Sequence, residues 1–304
     1  MVSVAGDGLD ESISSSVLTS VGPEDRPTVG DWLLVDRASM AIERILRRTS
    51  LFKRPAPGDE RRVQLIAANV DTLFIVTSCD QDFKVARLER YLVLAREVGV
   101  RPIVVLTKAD LVVDPTGFVA TAKALHPQLQ VELVNGLDAT RVTALAAYCG
   151  AGETVALVGS SGVGKSTLVN TLRGSDSIPT QAVRESDGKG LHTTTVRQMH
   201  RLGVGVGGGG WLVDTPGMRE LQMSEVGSGV ADVFDDIIET TLECRFTNCT
   251  HADEPECAIR TGITNRTLDP ARVARWRKLR DEDLSSTGNA AIQRGRRAKM
   301  SKRR

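Results

Sequence analysis

The stretch Gly159-Ser-Ser-Gly-Val-Gly-Lys-Ser166 decides the fold of this chain, because it fits the phosphate-binding pattern G-x-x-x-x-G-K-[ST]. The apolar run Thr154-Val-Ala-Leu-Val158 before it is typical of a buried strand, and residues 166–172 after it have the spacing of an amphipathic helix. In such a strand–loop–helix unit, glycines let backbone N–H groups face phosphate, and the helix adds the positive end of its dipole. The stretch therefore predicts a nucleotide site in an α/β domain.

Two side chains of this loop have expected roles in nucleotide chemistry. Lys165 is expected to reach the β- and γ-phosphate oxygens, and the hydroxyl of Ser166 is expected to bind Mg²⁺. The nucleotide-binding residues predicted in this part of the chain are Gly159, Ser160, Ser161, Gly162, Val163, Gly164, Lys165, Ser166 and Thr167.

Two segments downstream fit the magnesium and γ-phosphate side of such a site. Asp214-Thr-Pro-Gly217 follows the apolar run Trp211-Leu-Val, so Asp214 is expected to hold Mg²⁺ and the Gly217 N–H to meet the γ-phosphate. Leu191-His-Thr-Thr-Thr195 lies between the two motifs, and one of its hydroxyls, assigned to Thr194, is expected to bind Mg²⁺. An ordinary Ser/Thr loop is the alternative for this segment.

The motif that reads the base lies upstream of the phosphate loop. Thr107-Lys-Ala-Asp110 closes the apolar run 102–106, and Asp110 can accept hydrogen bonds from guanine N1–H and N2–H₂. The Lys108 stem can lie along the base, and Thr107 stands where many GTPases have Asn. In ordinary GTPases this motif follows the other two, so the order predicts a circularly permuted sheet, in which the same contacts survive.

The rest of the chain divides by pattern into five parts. Residues 1–27 have few large apolar side chains and are expected to be a disordered tail, and residues 28–67 are strand-like and suggest a small OB-like β-barrel, whole or truncated. Strand and helix patterns alternate over residues 68–223, which predicts a mostly parallel sheet with helices on both faces. Residues 224–284 are helical, with expected helices at 230–242 and 270–284, and residues 285–304 form a basic tail.

Four residues in the helical part have metal-ligand spacing. Cys244, Cys249, His251 and Cys257 make a Cys₃His set, which suits one structural Zn²⁺ because it leaves no open coordination position. A buried thiol cluster without metal is the alternative. Cys79 and Cys149 stand apart and are expected to be ordinary buried thiols.

Composition and charge exclude several classes of protein. The chain has 304 residues, 41% of them hydrophobic, 25% charged, with a net charge of +1. We expect no signal peptide, membrane span or disulfide scaffold, and a reducing cytoplasm fits best. Residues 294–304 hold seven cations and no acid, which suits binding to an RNA backbone, although a solubilising tail is the alternative.

The order of the motifs, together with the Cys₃His set, resembles the RsgA (YjeQ) family of circularly permuted, ribosome-small-subunit-dependent GTPases. The segments 188–195 and 214–219 also match the switch segments of that family. The resemblance implies an N-terminal OB-like barrel, a permuted P-loop GTPase domain and a C-terminal zinc-binding helical domain. It further implies a GTPase that binds the 30S subunit and 16S rRNA in late maturation and is stimulated by the ribosome. We expect a cytoplasmic monomer without a membrane partner.

The residue that orients the attacking water is not the usual one. Many small GTPases have Gln after D-x-x-G, whereas this chain has Met218, which cannot hydrogen-bond water usefully. His192 is the candidate catalytic residue, and a histidine that only contacts the ribosome is the alternative. The alternative for the whole chain is a nucleotide-dependent rRNA-binding module with negligible turnover. An ATPase is disfavoured by Asp110.

Overall fold

A computed structural model describes residues 2–6, 9–13, 22–39, 41–56, 59–138, 142–174, 198–202, 209–214 and 227–284. The chain divides into two compact units: one holds residues 1–83 and 98–222, the other residues 84–97 and 223–304. His192, Thr194, Gly217 and the basic tail lie outside the described residues. Within the described residues, we find no helix with the length and apolar character needed to cross a bilayer.

The first unit begins with three antiparallel strand pairs. β1 (Val2–Gly6) pairs with β2 (Leu9–Ile13), β3 (Leu33–Asp36) with β4 (Ala41–Ile45), and β5 (Leu51–Ala56) with β6 (Asp59–Ala68). The OB-like barrel stays a prediction, because these strands are assigned to separate two-stranded sheets.

Two of these pairs differ from the sequence expectations. The tail expected to be disordered contains the β1–β2 hairpin, whose strands are separated by Asp7-Gly8, a sequence pair typical of tight hairpin turns. Proline ordinarily ends a strand or lies at its edge because it has no N–H group, but Pro55 lies inside β5. The register shifts between Pro55 and Ala56, and such a bulge is a place where a strand tolerates a residue without an N–H group.

A six-stranded sheet forms the centre of the first unit, in the order β11-β12-β10-β7-β8-β9. Five strands are parallel and β11 runs antiparallel at one edge, so the prediction of a mostly parallel sheet is confirmed. The strands are β7 (Thr72–Ser78), β8 (Arg101–Thr107), β9 (Gln130–Leu133), β10 (Thr154–Val158), β11 (Gln198–Arg201) and β12 (Trp211–Asp214).

Apolar side chains from the sheet and its helices form one core. Phe74, Val105 and Val155 on the strands pack in one cluster with Val163 and Leu168, all fully buried. Among the described residues, the α-helices of this unit are α2 (Thr116–Lys123) and α3 (Lys165–Arg173), and Thr143–Tyr148 form a 3-10 helix. The phosphate loop is therefore anchored through its own Val163.

The second unit is helical. It contains residues 85–97 of α1 (Val85–Val98), followed by α4 (Gly227–Val233), α5 (Asp235–Thr241), α6 (Ala258–Thr264) and α7, residues 270–284. The single helix expected at 230–242 is split at Phe234, whose backbone angles (φ −118°, ψ 38°) are not helical and whose ring is fully buried. Burial of this ring is the packing gain that accompanies the break.

A buried ion cluster joins two helices of the second unit. The Glu89 carboxylate on α1 is fully buried and accepts from Arg275 Nε at 2.5 Å and Nη2 at 3.1 Å, and from Arg272 Nη1 at 3.4 Å. Burial raises the pKa of Glu89 even though the Arg275 guanidinium opposes that change. The Arg272 guanidinium also lies 4.9 Å from the centre of the Phe234 ring. The cluster fixes the register of α7 against α1.

Candidate nucleotide site and Cys/His cluster

Three loops leave the carboxyl ends of neighbouring parallel strands: residues 107–111 after β8, 134–138 after β9 and 159–164 after β10. In the sheet, β7 separates β8 from β10, and all three strands are parallel. The T-K-x-D motif after β8 and the phosphate loop after β10 therefore lie at the same edge of the sheet, although T-K-x-D comes first in the chain. β12 runs parallel to β10 and ends with Asp214 at the same edge. This edge is where open α/β sheets bind ligands.

The phosphate loop needs glycine at positions where the backbone turns tightly. Gly159, Gly162 and Gly164 have φ of 144°, 80° and 91°. A Cβ atom on Gly159 would lie 2.2 Å from the Val76 carbonyl oxygen, whereas one on Gly162 would meet nothing within 4 Å. Glycine is thus required at position 159 by both the backbone conformation and the lack of space, and at position 162 by the backbone conformation alone.

Lys165 begins α3 and folds back over this loop. Its Nζ donates to the Gly159 carbonyl oxygen at 2.8 Å and also to that of Ser160. The side chain is 8% exposed, so the ammonium group lies at the loop that is expected to surround phosphate. Ser166 and Thr167 follow at the half-buried start of the helix, while Ser161 and Gly162 are exposed and Val163 is buried.

Thr107 connects the base-reading loop to the phosphate loop. Its hydroxyl lies 2.6 Å from the Val163 carbonyl oxygen and 3.3 Å from the Thr77 carbonyl oxygen, and the residue is 2% exposed. Because a hydroxyl has one hydrogen, the shorter contact to Val163 is the hydrogen bond that it donates. The residue in the Asn position thus holds together the two loops that are candidates for binding a nucleotide.

Lys108 is held by an acidic residue that motif analysis missed. Its backbone is left-handed (φ 56°), and its Nζ lies 3.2 Å from Asp80 Oδ2. Partial burial opposes ionisation of Asp80, but the Asp82 N–H and the Ser78 hydroxyl donate to it and lower its pKa. The only sequence signal was an acidic residue just after strand β7.

Asp110 lies on a 3-10 turn, Ala109–Leu111, and is exposed, so its carboxylate can meet a base from solvent.

The four cysteine and histidine residues come together in the second unit. The ligand atoms of Cys244, Cys249, His251 and Cys257 all lie within 4.8 Å of one another. His251 Nδ1 is 3.5 Å from Cys244 Sγ and 3.8 Å from Cys257 Sγ. A tetrahedral zinc with a Zn–N bond of about 2.0 Å and Zn–S bonds of about 2.3 Å separates its nitrogen and sulfur ligands by roughly 3.5 Å. The set therefore fits Zn²⁺.

The surroundings of this cluster favour the metal-binding forms of His251 and Cys257, whereas burial raises the pKa of Cys249 to about 11. Burial lowers the pKa of His251, and nearby Arg280 adds to this, so the imidazole is neutral as a ligand must be. Burial opposes ionisation of Cys257, but the Arg260 N–H at the start of α6 lowers its pKa overall. Arg277 donates to the His251 carbonyl oxygen, which holds the left-handed backbone there (φ 64°).

The two remaining cysteines are buried in the first unit, as the sequence predicted. Cys79 is 1% exposed and Cys149 is fully buried. Burial raises the pKa of Cys79 to about 11 and that of Cys149 to about 12, so both are protonated thiols at neutral pH.

Comparisons with known proteins agree with this arrangement. Residues 45–224 match the sequence profile of the RsgA GTPase family. A Mesorhizobium japonicum protein named small ribosomal subunit biogenesis GTPase RsgA is 53% identical over 262 residues, which cover 85% of this chain and 74% of that protein. A Vibrio parahaemolyticus relative, small ribosomal subunit biogenesis GTPase RsgA 2, is 46% identical over 267 residues, covering 88% of this chain and 73% of that protein.

Two solved structures share the fold. YjeQ from Thermotoga maritima has a TM-score of 0.61 at 24% identity and covers 85% of each chain. YloQ, described as a circularly permuted GTPase, has a TM-score of 0.60 at 22% identity, over 91% of this chain and 88% of that one. At these identities the likeness concerns the fold, and it confirms the permuted sheet predicted from the order of the motifs.

Proposed function

The chain belongs to the RsgA GTPase family, and on that premise we propose that it hydrolyses GTP to GDP and phosphate on the small ribosomal subunit, late in its maturation. The observation that carries the proposal is the meeting of the phosphate loop and the base-reading loop at one sheet edge, joined by the Thr107 hydroxyl. The small ribosomal subunit is proposed as the partner because the relatives are named small ribosomal subunit biogenesis GTPases.

Each part of the nucleotide has a proposed set of contacts in this chain. The phosphates meet backbone N–H groups of the loop and the Lys165 ammonium group, and the guanine edge meets Asp110. GTPases generally use Mg²⁺, and we propose that its protein ligands are Ser166, Thr194 and Asp214. The full proposed set for GTP is Thr107, Lys108, Asp110, Gly159, Ser160, Ser161, Gly162, Val163, Gly164, Lys165, Ser166, Thr167, Asp214 and Gly217.

Hydrolysis needs a group that orients water against the γ-phosphate. With Met218 beside the D-x-x-G motif, we assign this role to His192, whose neutral imidazole can accept a hydrogen bond from water. Intrinsic turnover is then slow, and binding to the 30S subunit accelerates it by ordering the segment that carries His192.

The remaining proposals concern the rest of the chain. Cys244, Cys249, His251 and Cys257 bind one Zn²⁺, which supplies folding free energy to the helical unit and takes no part in catalysis. The cations of residues 294–304 contact 16S rRNA through phosphates. The protein acts as a cytoplasmic monomer.

Guanine selectivity tests the assignment of the site. GDP should bind at least about 100-fold more tightly than ADP, because Asp110 can accept hydrogen bonds from guanine N1–H and N2–H₂, which adenine does not offer. Asp110→Asn should weaken GDP and strengthen XDP, because an amide N–H can face the xanthine 2-oxo group that a carboxylate repels. Calorimetry of both proteins with GDP, ADP and XDP measures these affinities, and equal GDP and ADP affinity in the unsubstituted protein would exclude a GTPase.

A further inference from the structure

The helix that follows the phosphate loop also holds a second loop of the same edge. Thr171 lies in the second turn of α3, and its hydroxyl is 2.7 Å from the Gly136 carbonyl oxygen and 3.1 Å from the Thr167 carbonyl oxygen. A helical threonine ordinarily bonds back to its own helix. Because the hydroxyl has one hydrogen, the shorter contact, to Gly136 in the loop after β9, is the one favoured here.

Two further hydrogen bonds fix that loop. The Val134 N–H donates to the Leu106 carbonyl oxygen at 2.8 Å, which holds the start of the loop against β8, next to the Thr107–Asp110 motif. The Asn135 side chain accepts the Leu137 N–H at 3.0 Å, so its amide oxygen is used within the loop. A Cβ atom on Gly136 would lie 3.6 Å from Thr167 Cγ2, in van der Waals contact with α3.

These bonds leave two backbone donors available. Within the described part of the chain, neither the Asn135 N–H nor the Gly136 N–H donates to a protein acceptor, and both residues are half-buried. Guanine has a carbonyl oxygen, O6, on the edge where adenine has an amino group. A backbone N–H can donate to O6 but not to that amino group.

We infer that Thr171 is a positioning residue for guanine recognition: it fixes the Asn135–Gly136 backbone so that one of these N–H groups meets O6. The inference rests on the proposed GTP site. The helix α3 then carries both Lys165, which contacts the phosphates, and Thr171, which holds the loop after β9 against guanine O6. The helix thereby sets the distance between the phosphate contact and the O6 contact.

Thr171→Val and Thr171→Ser test the role of the hydroxyl. Valine keeps the shape and removes the O–H, and we expect GDP affinity to fall about 5- to 10-fold, the usual loss for one hydrogen bond. Serine keeps the O–H, and its affinity should stay within about twofold of the unsubstituted protein. Should the valine variant fail to fold by thermal melting, Thr171→Ala removes the same hydroxyl and takes its place.

A second nucleotide separates positioning from general loss of structure. 6-Thio-GDP keeps the N1–H and 2-amino groups that face Asp110 but replaces O6 with sulfur, a weak acceptor. Thr171→Val should therefore change its affinity by less than about twofold. Equal losses for GDP and 6-thio-GDP, an unchanged GDP affinity, or a serine variant as weak as valine would each overturn the inference. Failure of the proposed function shows separately, as equal GDP and ADP affinity in the unsubstituted protein.

Discussion

Replacing Gly159 with alanine should damage the nucleotide site more than the same change at Gly162. The Cβ atom on Gly159 would lie 2.2 Å from the Val76 carbonyl oxygen, about 1 Å inside the closest normal approach, and both residues are buried. At φ 144° the residue also occupies a region used almost only by glycine, which costs alanine about 1–3 kcal/mol. The loop must therefore move away from β7.

Gly162→Ala is the matched control in the same loop. Its Cβ meets nothing within 4 Å, and at φ 80° alanine carries only the left-handed strain, about 1–2 kcal/mol, in both free and bound states. We expect GDP to bind Gly159→Ala about 100-fold more weakly, close to 2.7 kcal/mol, and Gly162→Ala no more than about tenfold more weakly.

Fluorescent GDP titration measures both affinities, and circular dichroism with thermal melting verifies that each variant is folded. The reasoning is refuted if the two variants bind GDP equally well, because the contact with Val76 would then not be what demands glycine. It is also refuted if folded Gly159→Ala retains the affinity of the unsubstituted protein.

Three further predictions concern the ion cluster, the metal and the tail. Glu89→Gln should lower the free energy of unfolding by about 1.5–3 kcal/mol in chemical denaturation, because it removes the carboxylate that pairs with the partly buried Arg275, whereas Arg272 keeps its pair with Asp236. Glu282→Gln, which removes the carboxylate of a partly exposed pair with Arg90, should lower the free energy of unfolding by at most about 1 kcal/mol. Equal losses for the two variants would contradict a stabilising role for the buried Glu89 carboxylate. Metal analysis should find about one zinc per chain, and Cys244→Ser should lower both the zinc content and the melting temperature; a zinc-free folded protein would disprove the site. Deleting residues 294–304, with seven cations, should weaken 30S binding and flatten its salt dependence, and an unchanged salt slope would assign the tail to solubility alone.

Much of the fold follows from local sequence, because each decisive pattern is contiguous or nearly so. The phosphate loop, the T-K-x-D motif and the Cys₃His set are short spacings whose chemistry requires particular residue types. The position of T-K-x-D before the phosphate loop and the D-x-x-G motif predicted the permuted sheet. The strand Thr154–Val158 was likewise predicted with the bounds observed.

What the sequence did not show are contacts between residues far apart in the chain. The bond from Thr107 to Val163 spans 56 positions and the pair of Lys108 and Asp80 spans 28, and neither leaves a periodic or compositional signal. The break at Phe234 has the same origin, because burial of the ring in the tertiary structure outweighs continuation of one helix. Local patterns identify the parts of the site, and packing decides how they are held.

The steady-state rate of GTP hydrolysis, measured as purified 30S subunits are titrated in, tests the central claim most directly. The account predicts slow turnover alone and a saturable rise with 30S, absent for ATP. It also predicts that His192→Ala abolishes the rise while GTP binding is preserved. Negligible turnover at saturating 30S would contradict the account and favour a nucleotide-dependent rRNA-binding module, and unchanged stimulation in the His192 variant would remove that residue from the mechanism.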